Sequence, residues 1–428
     1  MQKDGFERLF IGEKEREGGF VFADVKVPMG LSAFRDRMLS LFPEEASSLK
    51  AFFDDVIAIY EAYCSALRKV AVSESRLLQA TKLLMSGRIP LATKVKFAST
   101  AMMPLKTFFD HYALSPLLRR VLYGHGGIFA ESETEMSAIA YIAATGNYHS
   151  GAWYPEKGFH HFFSSLARVV EENRGRVELG KRVVGIVEEE DWASGVQCYD
   201  GSRFSCDLLF SDISPRLTAR LLGRDTSGLD YAPSHSIPSC CLAFESGVSG
   251  ISEMRGRNYW WQDGREVNYR NPDMLSPPRM LFLASPTANG FGAMPSVDKH
   301  AMLAFCPGNY IQERMLHSRG AESAALFRRR LAKEIVSILD RNIFPGIADK
   351  LVFAKVLSSI DIERATLGEG GNAYGRRLSV DEIMKGPIND ADIPANLYNV
   401  SASKNCAGIA SGIFTAMGLY EVLTGETI

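Results

Sequence analysis

Apolar residues recur at three- and four-residue intervals from Leu49 through Phe52, Val56, Tyr60, Tyr63 and Leu67 to Val70, the spacing of one face of a helix. Pro43, followed by Glu44 and Glu45, precedes this run. Proline suits the first helical position and acids suit the first turn, so a long helix is predicted from Pro43. Ala325, Leu326, Leu331, Ile335 and Leu339 share one side of a second predicted helix over 320–342. Shorter helices are predicted over 159–172, from Pro215 through Leu222, and from about Gly408 to Leu423.

Other stretches carry the pattern of strands. Phe20–Phe22 and Val25–Val27, separated by Ala23 and Asp24, predict a short β piece before Pro28 and Gly30. Val177–Leu179, Val183–Val187 and Leu208–Phe210 read as strands, and Val196–Cys198 and Arg203-Phe204 flank Asp200-Gly201, a hairpin signal. Residues 225–315 carry short apolar runs amid Pro, Gly and Asn, as in a β-rich domain. Leu351–Ile360 and Asn396–Val400 are two further predicted strands. The divisions that follow are a strand piece and long helix in 1–75, a basic helical subdomain in 76–150, and a βαβ-and-meander unit in 151–224. A sheet with a helix occupies 225–365, and a closing strand and helix occupy 366–428. No internal repeat is visible.

Composition narrows the class. The 428 residues are 46% hydrophobic and 23% charged, which excludes a disordered or fibrous chain. A net charge of −2 gives no general nucleic-acid footprint. One segment departs from that balance: in 76–124, Arg76, Lys82, Arg88, Lys94, Lys96, Lys106, Arg119 and Arg120 face the single acid Asp110. With its Leu, Met and Phe content, this segment is either a layer touching an anionic membrane or roofing an apolar pocket, or a peripheral helical subdomain with solvated lysines. Seven cysteines without a CxxC pair fit reduced thiols and no zinc site. The charged first residues lack the apolar core of a signal peptide, and no apolar run reaches spanning length, so the expectation is a cytoplasmic protein, at most peripheral to a membrane.

Local motifs point only weakly to chemistry. Gly368-Glu-Gly370-Gly-Asn-Ala373 has GxGxxA spacing, but Tyr374-Gly375 follows where a dinucleotide loop needs a helix. His160 and His161 point to different helix faces without a third ligand. Cys406 reads more readily as a buried thiol than a reactive one. The last strand–turn–helix is more suggestive. Gly408, Ala410, Ser411, Gly412, Ala416 and Gly418 allow close approach, and a helix start offers free N–H groups to a phosphate or flavin oxygen, though a tightly packed core helix has the same pattern.

Taken in order, GNYHSGAWYPEKGF, VELGKRVVGIV, the hairpin and LLFSDISPRLTARLLG, with FPEEASSLKAFF before them and GEGGNAYG and NLYNVSASKNCAGIASGIFTAMG after them, resemble phytoene desaturase-like FAD-dependent oxidoreductases. The likeness is strongest to the branch of all-trans-retinol 13,14-reductase (retinol saturase) and carotenoid isomerase, and runs over essentially the whole chain. It implies a mixed α/β (α+β) fold, a truncated two-domain FAD-dependent oxidoreductase: a Rossmann-like FAD-domain remnant, a β-sheet substrate domain and a helical subdomain. The family's N-terminal GxGxxG unit and acidic ribose ligand have no counterpart here, and its C-terminal glycine turn is replaced by Ser401-Ala-Ser403-Lys404.

The resemblance implies FAD as cofactor and a hydrophobic small molecule as substrate. Val183 would lie against the adenine through its backbone, and Ser211, Ser214 and Pro215 would shape the loop near the flavin. Ser401, Ser403, Gly408 and Ala410 would meet the pyrophosphate or isoalloxazine, and Gly151, Tyr154 and Tyr374 would line the substrate side. No catalytic acid or base and no metal ligand is implied. The expected activity is a flavin-dependent saturation, desaturation or isomerisation of C=C bonds in an isoprenoid or polyene lipid. Two rivals remain: a non-enzymatic or truncated homologue that binds a hydrophobic ligand without flavin, and a flavin amine oxidase, whose aromatic cage has no evident pair among Trp260-Trp261, Tyr374 and Tyr398.

Overall fold

A computed structural model describes residues 6–12, 23–67, 91–151, 153–155, 157–289, 299–385, 388, 393–404 and 409–426. Strands β1 (Glu7–Ile11) and β2 (Ala23–Val27) form an antiparallel pair near the start. Strands β7 (Ser239–Glu245), β8 (Asn258–Gln262), β9 (Met280–Ala284), β10 (Lys299–Phe305) and β11 (Leu351–Leu357) follow much later in the chain. Together they make one seven-stranded sheet in the order β11-β7-β10-β9-β8-β1-β2. Every described pairing in it is antiparallel except β1 with β8, which runs parallel with Leu9 opposite Trp260.

Because strand side chains alternate between faces, this sheet separates two apolar cores. Leu9, Ile11, Trp260 and Met280 face the first core, which is closed by helices α1 (Leu31–Leu41), α2 (Ala46–Leu67), α4 (Leu105–His111), α5 (Pro116–Leu122) and α6 (Ala138–Ser150). Phe10, Tyr259, Trp261 and Leu283 face the second, covered by helix α10 (Ala321–Asn342) through Phe327, Leu331, Ile335 and Leu339. Helix α3 (Leu91–Ala101) packs against α2 at the edge of the first core. Helix α9 (Tyr310–Ser318) leads into α10 and packs against it, and the short helix α12 (Val380–Met384) lies near the end of the chain.

A smaller unit interrupts the large sheet's sequence. Helix α7 (Gly158–Glu172) leads to the antiparallel meander β3 (Val183–Glu189), β4 (Trp192–Cys198) and β5 (Arg203–Ser205). The predicted Asp200-Gly201 turn joins the last two, with Val196 opposite Phe204 and Gly201 at φ 85°. Strand β6 (Leu209–Ser211) then enters helix α8 (Pro215–Leu221). Near the other end of the chain, β12 (Leu397–Asn399) pairs parallel with β6, and helix α13 (Ile409–Thr424) follows.

Several expectations are corrected. Val177 and Leu179 lie in exposed coil rather than a strand, because no neighbouring strand pairs with them. The predicted strand Leu351–Ile360 stops at Leu357. Ser358 caps helix α11 (Ser359–Thr366) in a reciprocal box with Asp361, which ends the extended backbone. Leu326 is 61% exposed; Ala324 and Phe327 carry the buried stripe of α10 instead. The helix from Pro43 begins as a single 3-10 turn, Pro43–Glu45, and becomes regular from Ala46. Phe20–Phe22, Val70 and Cys406 lie outside the described residues.

The apolar residues of 105–122 belong to the first core: Leu105, Phe109, Leu118, Val121 and Leu122 are fully buried. Arg76, Lys82 and Arg88 of the wider 76–124 segment lie outside the described residues, and several of its other bases are paired. Lys106 and Arg119 both meet Asp110, and Lys96 meets Asp55 of α2. The excess of basic residues in this segment is therefore partly neutralised by acids within and outside it.

Gly127 marks a close contact between the helical layer and the sheet. A Cβ there would lie 2.7 Å from the Trp260 ring and 2.6 Å from the Met280 methyl. Gly127→Ala is expected to overpack this point and to destabilise the protein by about 1–3 kcal/mol. A lowered chemical-denaturation midpoint with an unchanged m-value checks it; an unaltered midpoint contradicts the close approach.

Candidate functional site

The parallel ends of β6 and β12 bring together residues almost two hundred positions apart. Asn399 is opposite Ser211, and the Val400 N–H donates to the Ser211 carbonyl at 2.9 Å. Asn399 donates through Nδ2 to the Ile213 carbonyl and to Thr218, at 2.8 and 3.0 Å. Asn396, at the other end of the strand, holds the Ala193 N–H and carbonyl and the Asp207 carbonyl, all within 2.9 Å. These two asparagines fix β12 against β6 and the meander, and the sequence reading placed them in the strand without naming them as site residues. Their placement on either side of Leu397-Tyr398 was the available signal.

The expected cofactor residues cluster here, with their polar atoms already engaged. Ser211 Oγ and Thr218 Oγ1 are 2.7 Å apart. Ser214 caps α8 by accepting from the Leu217 N–H at 3.3 Å, donates to Glu369 at 3.1 Å, and is followed by Pro215 at the first helical position. Ser401 donates to Asn399 Oδ1 at 2.7 Å, and Ser403 is buried beside it. Lys404 is half-buried, and desolvation pulls its pKa down. Val183 opens β3 opposite Cys198. Ala410 lies in the first turn of α13, while Gly408 is outside the described residues.

The Gly368–Ala373 stretch is an anchor for this edge. Glu369 binds Arg216 at 2.9 Å and accepts from Ser214 and Tyr231 at 3.1 Å each. Gly371 approaches the Ser359 carbonyl so closely that a Cβ would stand 2.2 Å from it. Two residues beyond Ala373, Gly375 has φ 77°, and a Cβ there would sit 2.5 Å from the Ala402 carbonyl carbon. The loop thus presses against the turn after β12. Adjacent Tyr374 turns inward, its hydroxyl donating to the Gly127 carbonyl at 3.3 Å.

From Tyr374 the contacts continue into an aromatic wall. Gly127 touches Trp260, whose ring lies 4.8 Å from Phe282 edge-on, and Phe282 stacks on Phe305 at 4.4 Å. A continuous apolar line therefore joins the end of β12 to the underside of the large sheet. Of the three expected substrate residues, Tyr374 lies on this line. Gly151 closes α6, and Tyr154 is half-exposed and edge-on to Phe159 of α7 at 4.8 Å.

A flavin dinucleotide requires donors for two phosphates and a close backbone cradle. The hydroxyls of Ser211, Ser214 and Ser401 are committed to Thr218, Glu369 and Asn399, and the GxGxxA-like stretch is a single turn bound to Ser214, Arg216 and Tyr231. The described residues offer one wall of such a site and do not fit the diphosphate.

Two clusters of buried and part-buried titratable groups lie apart from this edge. Glu131, Glu135 and His235 place possible ligand atoms within 4.8 Å of one another, whereas the sequence implied no metal ligand. Arg377 occupies both Glu131 oxygens at 2.7 Å and one of Glu135 at 2.9 Å, so a cation would have to displace a guanidinium. Burial, then Arg377 and Arg270, push His235 down to about 4, keeping it neutral at pH 7.

The second cluster is Glu7 with His125. Glu7 Oε1 accepts from the Trp260 indole at 2.9 Å; its Oε2 stands 3.8 Å from His125 Nδ1, and neither this oxygen nor either ring nitrogen has a hydrogen-bond partner. Burial pushes the Glu7 carboxyl from 4.5 up to about 8 and the His125 imidazole from 6.5 down to about 3. Both are therefore uncharged at neutral pH, as a dry interior demands.

The raised carboxyl sets a sign. Between 4.5 and about 8 the folded protein holds a proton on Glu7 that the unfolded chain has lost. Stability from this group is present below 4.5 and falls as pH rises toward 8. Glu7→Gln keeps the acceptor for Trp260 and removes the titration, while the His125 contribution is common to both proteins. The stability of the variant relative to the native protein is expected to climb between pH 5 and pH 8, at up to about 1.4 kcal/mol for each pH unit crossed. Urea melts of the two proteins across that range check it, and a constant difference contradicts it.

No family model matches the sequence. The chain is 23% identical over 311 residues to 4,4'-diaponeurosporene oxygenase of Staphylococcus aureus strain MRSA252, spanning 70% of this chain and 60% of that protein. The same enzyme of strain USA300 is 22% identical over the same extents. Among solved structures, an oxidoreductase from Methanosarcina mazei superposes over 97% of this chain and 80% of its own, with a TM-score of 0.51 at 13% identity. The chain thus shares the fold of an oxidoreductase and is distantly similar in sequence to a diaponeurosporene oxygenase, a likeness that supports the resemblance to phytoene desaturase-like FAD-dependent oxidoreductases.

Proposed function

We propose that this chain provides the substrate-holding part of an oxidoreductase that saturates, desaturates or isomerises C=C bonds of a polyene or isoprenoid lipid. The observation that carries this reading is the similarity to a carotenoid-pathway oxygenase along 70% of the chain. The aromatic line from Tyr374 through Trp260 to Phe282 and Phe305 supports it, because a conjugated hydrocarbon needs an apolar, orienting surface with few polar groups. FAD is the proposed cofactor, and it supplies hydride or electron exchange when bound. The chain contributes the β6–β12 edge, the backbone after Ser211 and the turn at Ser401–Lys404.

The phosphate cradle is proposed to come from outside the described residues, on this chain or on another. Exposed apolar surface on the smaller unit supports this. Helix α7 has no buried residue, and Phe163 and Leu166 are 54% and 50% exposed. Phe210 and Tyr398, stacked on one another in a parallel sheet of two strands among the described residues, belong to a class of sheet that is normally covered on both faces.

The engaged serines favour one alternative, a homologue that holds the hydrophobic ligand without flavin. Purified protein incubated with FAD and a polyene distinguishes the two. Retained flavin absorbance and a shifted polyene spectrum are expected of the enzyme. Co-purifying apolar ligand with no flavin retained, even after addition of a nucleotide-binding partner, would establish the binding protein.

We also propose peripheral contact with an anionic membrane through the start of the basic segment. Among the described residues no helix is long and apolar enough to cross a membrane. On and just after α3, Leu91, Val95 and Met102 are 76%, 60% and 60% exposed beside Lys94. The native protein is expected to float with vesicles containing phosphatidylserine, and Leu91→Asp with Val95→Asp to lose most of that retention. Equal recovery of both proteins with the vesicles contradicts the contact.

A further inference from the structure

On the face of the large sheet away from Tyr374 there is a cleft of about 470 Å³ between β8, the loop after it and the last turn of α10. Trp261, Asp263, Arg265, Arg279, Arg341 and Asn342 line it, together with Ile338 and the Pro277-Pro278 pair. None of these residues takes part in the β6–β12 edge or the aromatic line, so the cleft is a separate feature.

Its charges do not balance. Asp263 is buried and is consumed by Arg265: Oδ1 accepts the Arg265 N–H at 2.9 Å, and Oδ2 accepts Nε at 2.7 Å and a second guanidinium nitrogen. That pair is neutral and holds Arg265 in place. Arg279 is left 4.0 Å from the same carboxylate and reaches the Glu266 carbonyl only at 3.5 Å. Arg341 spends its Nε on the Ser337 carbonyl, at 3.3 Å, and forms no ion pair among the described residues. Two guanidiniums thus border the cleft with little anionic compensation.

The inner wall adds a donor. Trp261 is 1% exposed, and its indole N–H has no hydrogen-bond partner. A buried donor left without an acceptor is unfavourable, and it is relieved by an acceptor arriving from the cleft. Planar guanidiniums match the oxygens of a phosphate group in paired hydrogen bonds. The volume exceeds what one phosphate fills and falls within the range of small-molecule sites, about 300–1,000 Å³. Ile338 and the two prolines offer an apolar wall to the remainder of such a molecule.

We propose that this cleft binds an organic phosphate, with Arg279 and Arg341 holding phosphate oxygens and the Trp261 N–H donating to the same ligand. The phosphate is either that of a soluble metabolite or that of a lipid headgroup.

Calorimetric titration with inorganic pyrophosphate at constant ionic strength tests the soluble source. Flotation with phosphatidylcholine vesicles carrying phosphatidic acid tests the headgroup. Arg341→Gln and Arg279→Gln, both at the rim, are expected to weaken binding at least tenfold without changing the melting temperature. Trp261→Phe keeps the ring and is expected to weaken it about tenfold, the effect of one hydrogen bond to a charged group. Pyrophosphate binding lost in Arg341→Gln, without vesicle retention, assigns the soluble source. Vesicle retention lost in Arg341→Gln and retained in Leu91→Asp with Val95→Asp assigns the headgroup. Absence of both, or binding that the two arginine variants leave unchanged, overturns the proposal.

Discussion

Two adjacent tryptophans on β8 set the organisation of the molecule. Trp260 and Trp261 are both 1% exposed, yet a strand turns them to opposite faces. Trp260 packs under the helical layer, donates to Glu7 and limits residue 127 to glycine. Trp261 packs with the second core and lines the cleft near Arg341. A slip of one residue between β8 and its neighbours would exchange the two rings and ruin both cores together, so the register is strongly specified. The parallel partner β1 obeys the same alternation, with Leu9 and Ile11 on one face and Phe10 on the other.

That constraint also positions the candidate site. The aromatic line is anchored at Trp260, reaches Tyr374 through Gly127, and passes to the β6–β12 edge because Gly375 allows the loop to touch Ala402 and Ser403. Neither glycine acts through a side chain. Each permits an approach that a side chain would forbid, and together they make a rigid path between the sheet and an edge far away in sequence. Asn396 and Asn399 do the complementary work with hydrogen bonds, holding a three-residue strand that pairs with a single neighbour.

What was legible in the sequence followed the range of the interaction. Helix α2 and the Asp200-Gly201 hairpin are declared by local periodicity and turn chemistry, and they stand where expected. The break at Ser358 was also local: Ser358 and Asp361 are a capping box, a signal outweighed by the β-like run before it. β1 was not visible as a strand of the main sheet, since its burial depends on β8, about 250 residues later. Glu7 and His125 were invisible for the same reason. Nothing near them in sequence says that both will be enclosed by Trp260, Phe129 and Tyr148. Of the expected site residues, Ser211 and Ser401 were brought to one edge and Tyr374 to the line leading from it, whereas their hydrogen-bond commitments could only be seen in three dimensions.

Those commitments bear on how the edge can hold a cofactor. A hydroxyl that already donates within a buried network offers a ligand at most its remaining acceptor capacity, which is of no use to an anionic phosphate. The edge therefore offers a diphosphate little beyond the half-buried Lys404 in the turn after β12, whose charge is already disfavoured by burial. An ammonium in that condition gains more from an incoming phosphate than an exposed one, because the anion offsets the desolvation penalty as well as adding attraction. One such cation does not make a cradle for two phosphates, so the turn Ser401-Ala-Ser403-Lys404 leaves the edge as one wall of the proposed site and the diphosphate to donors outside the described residues.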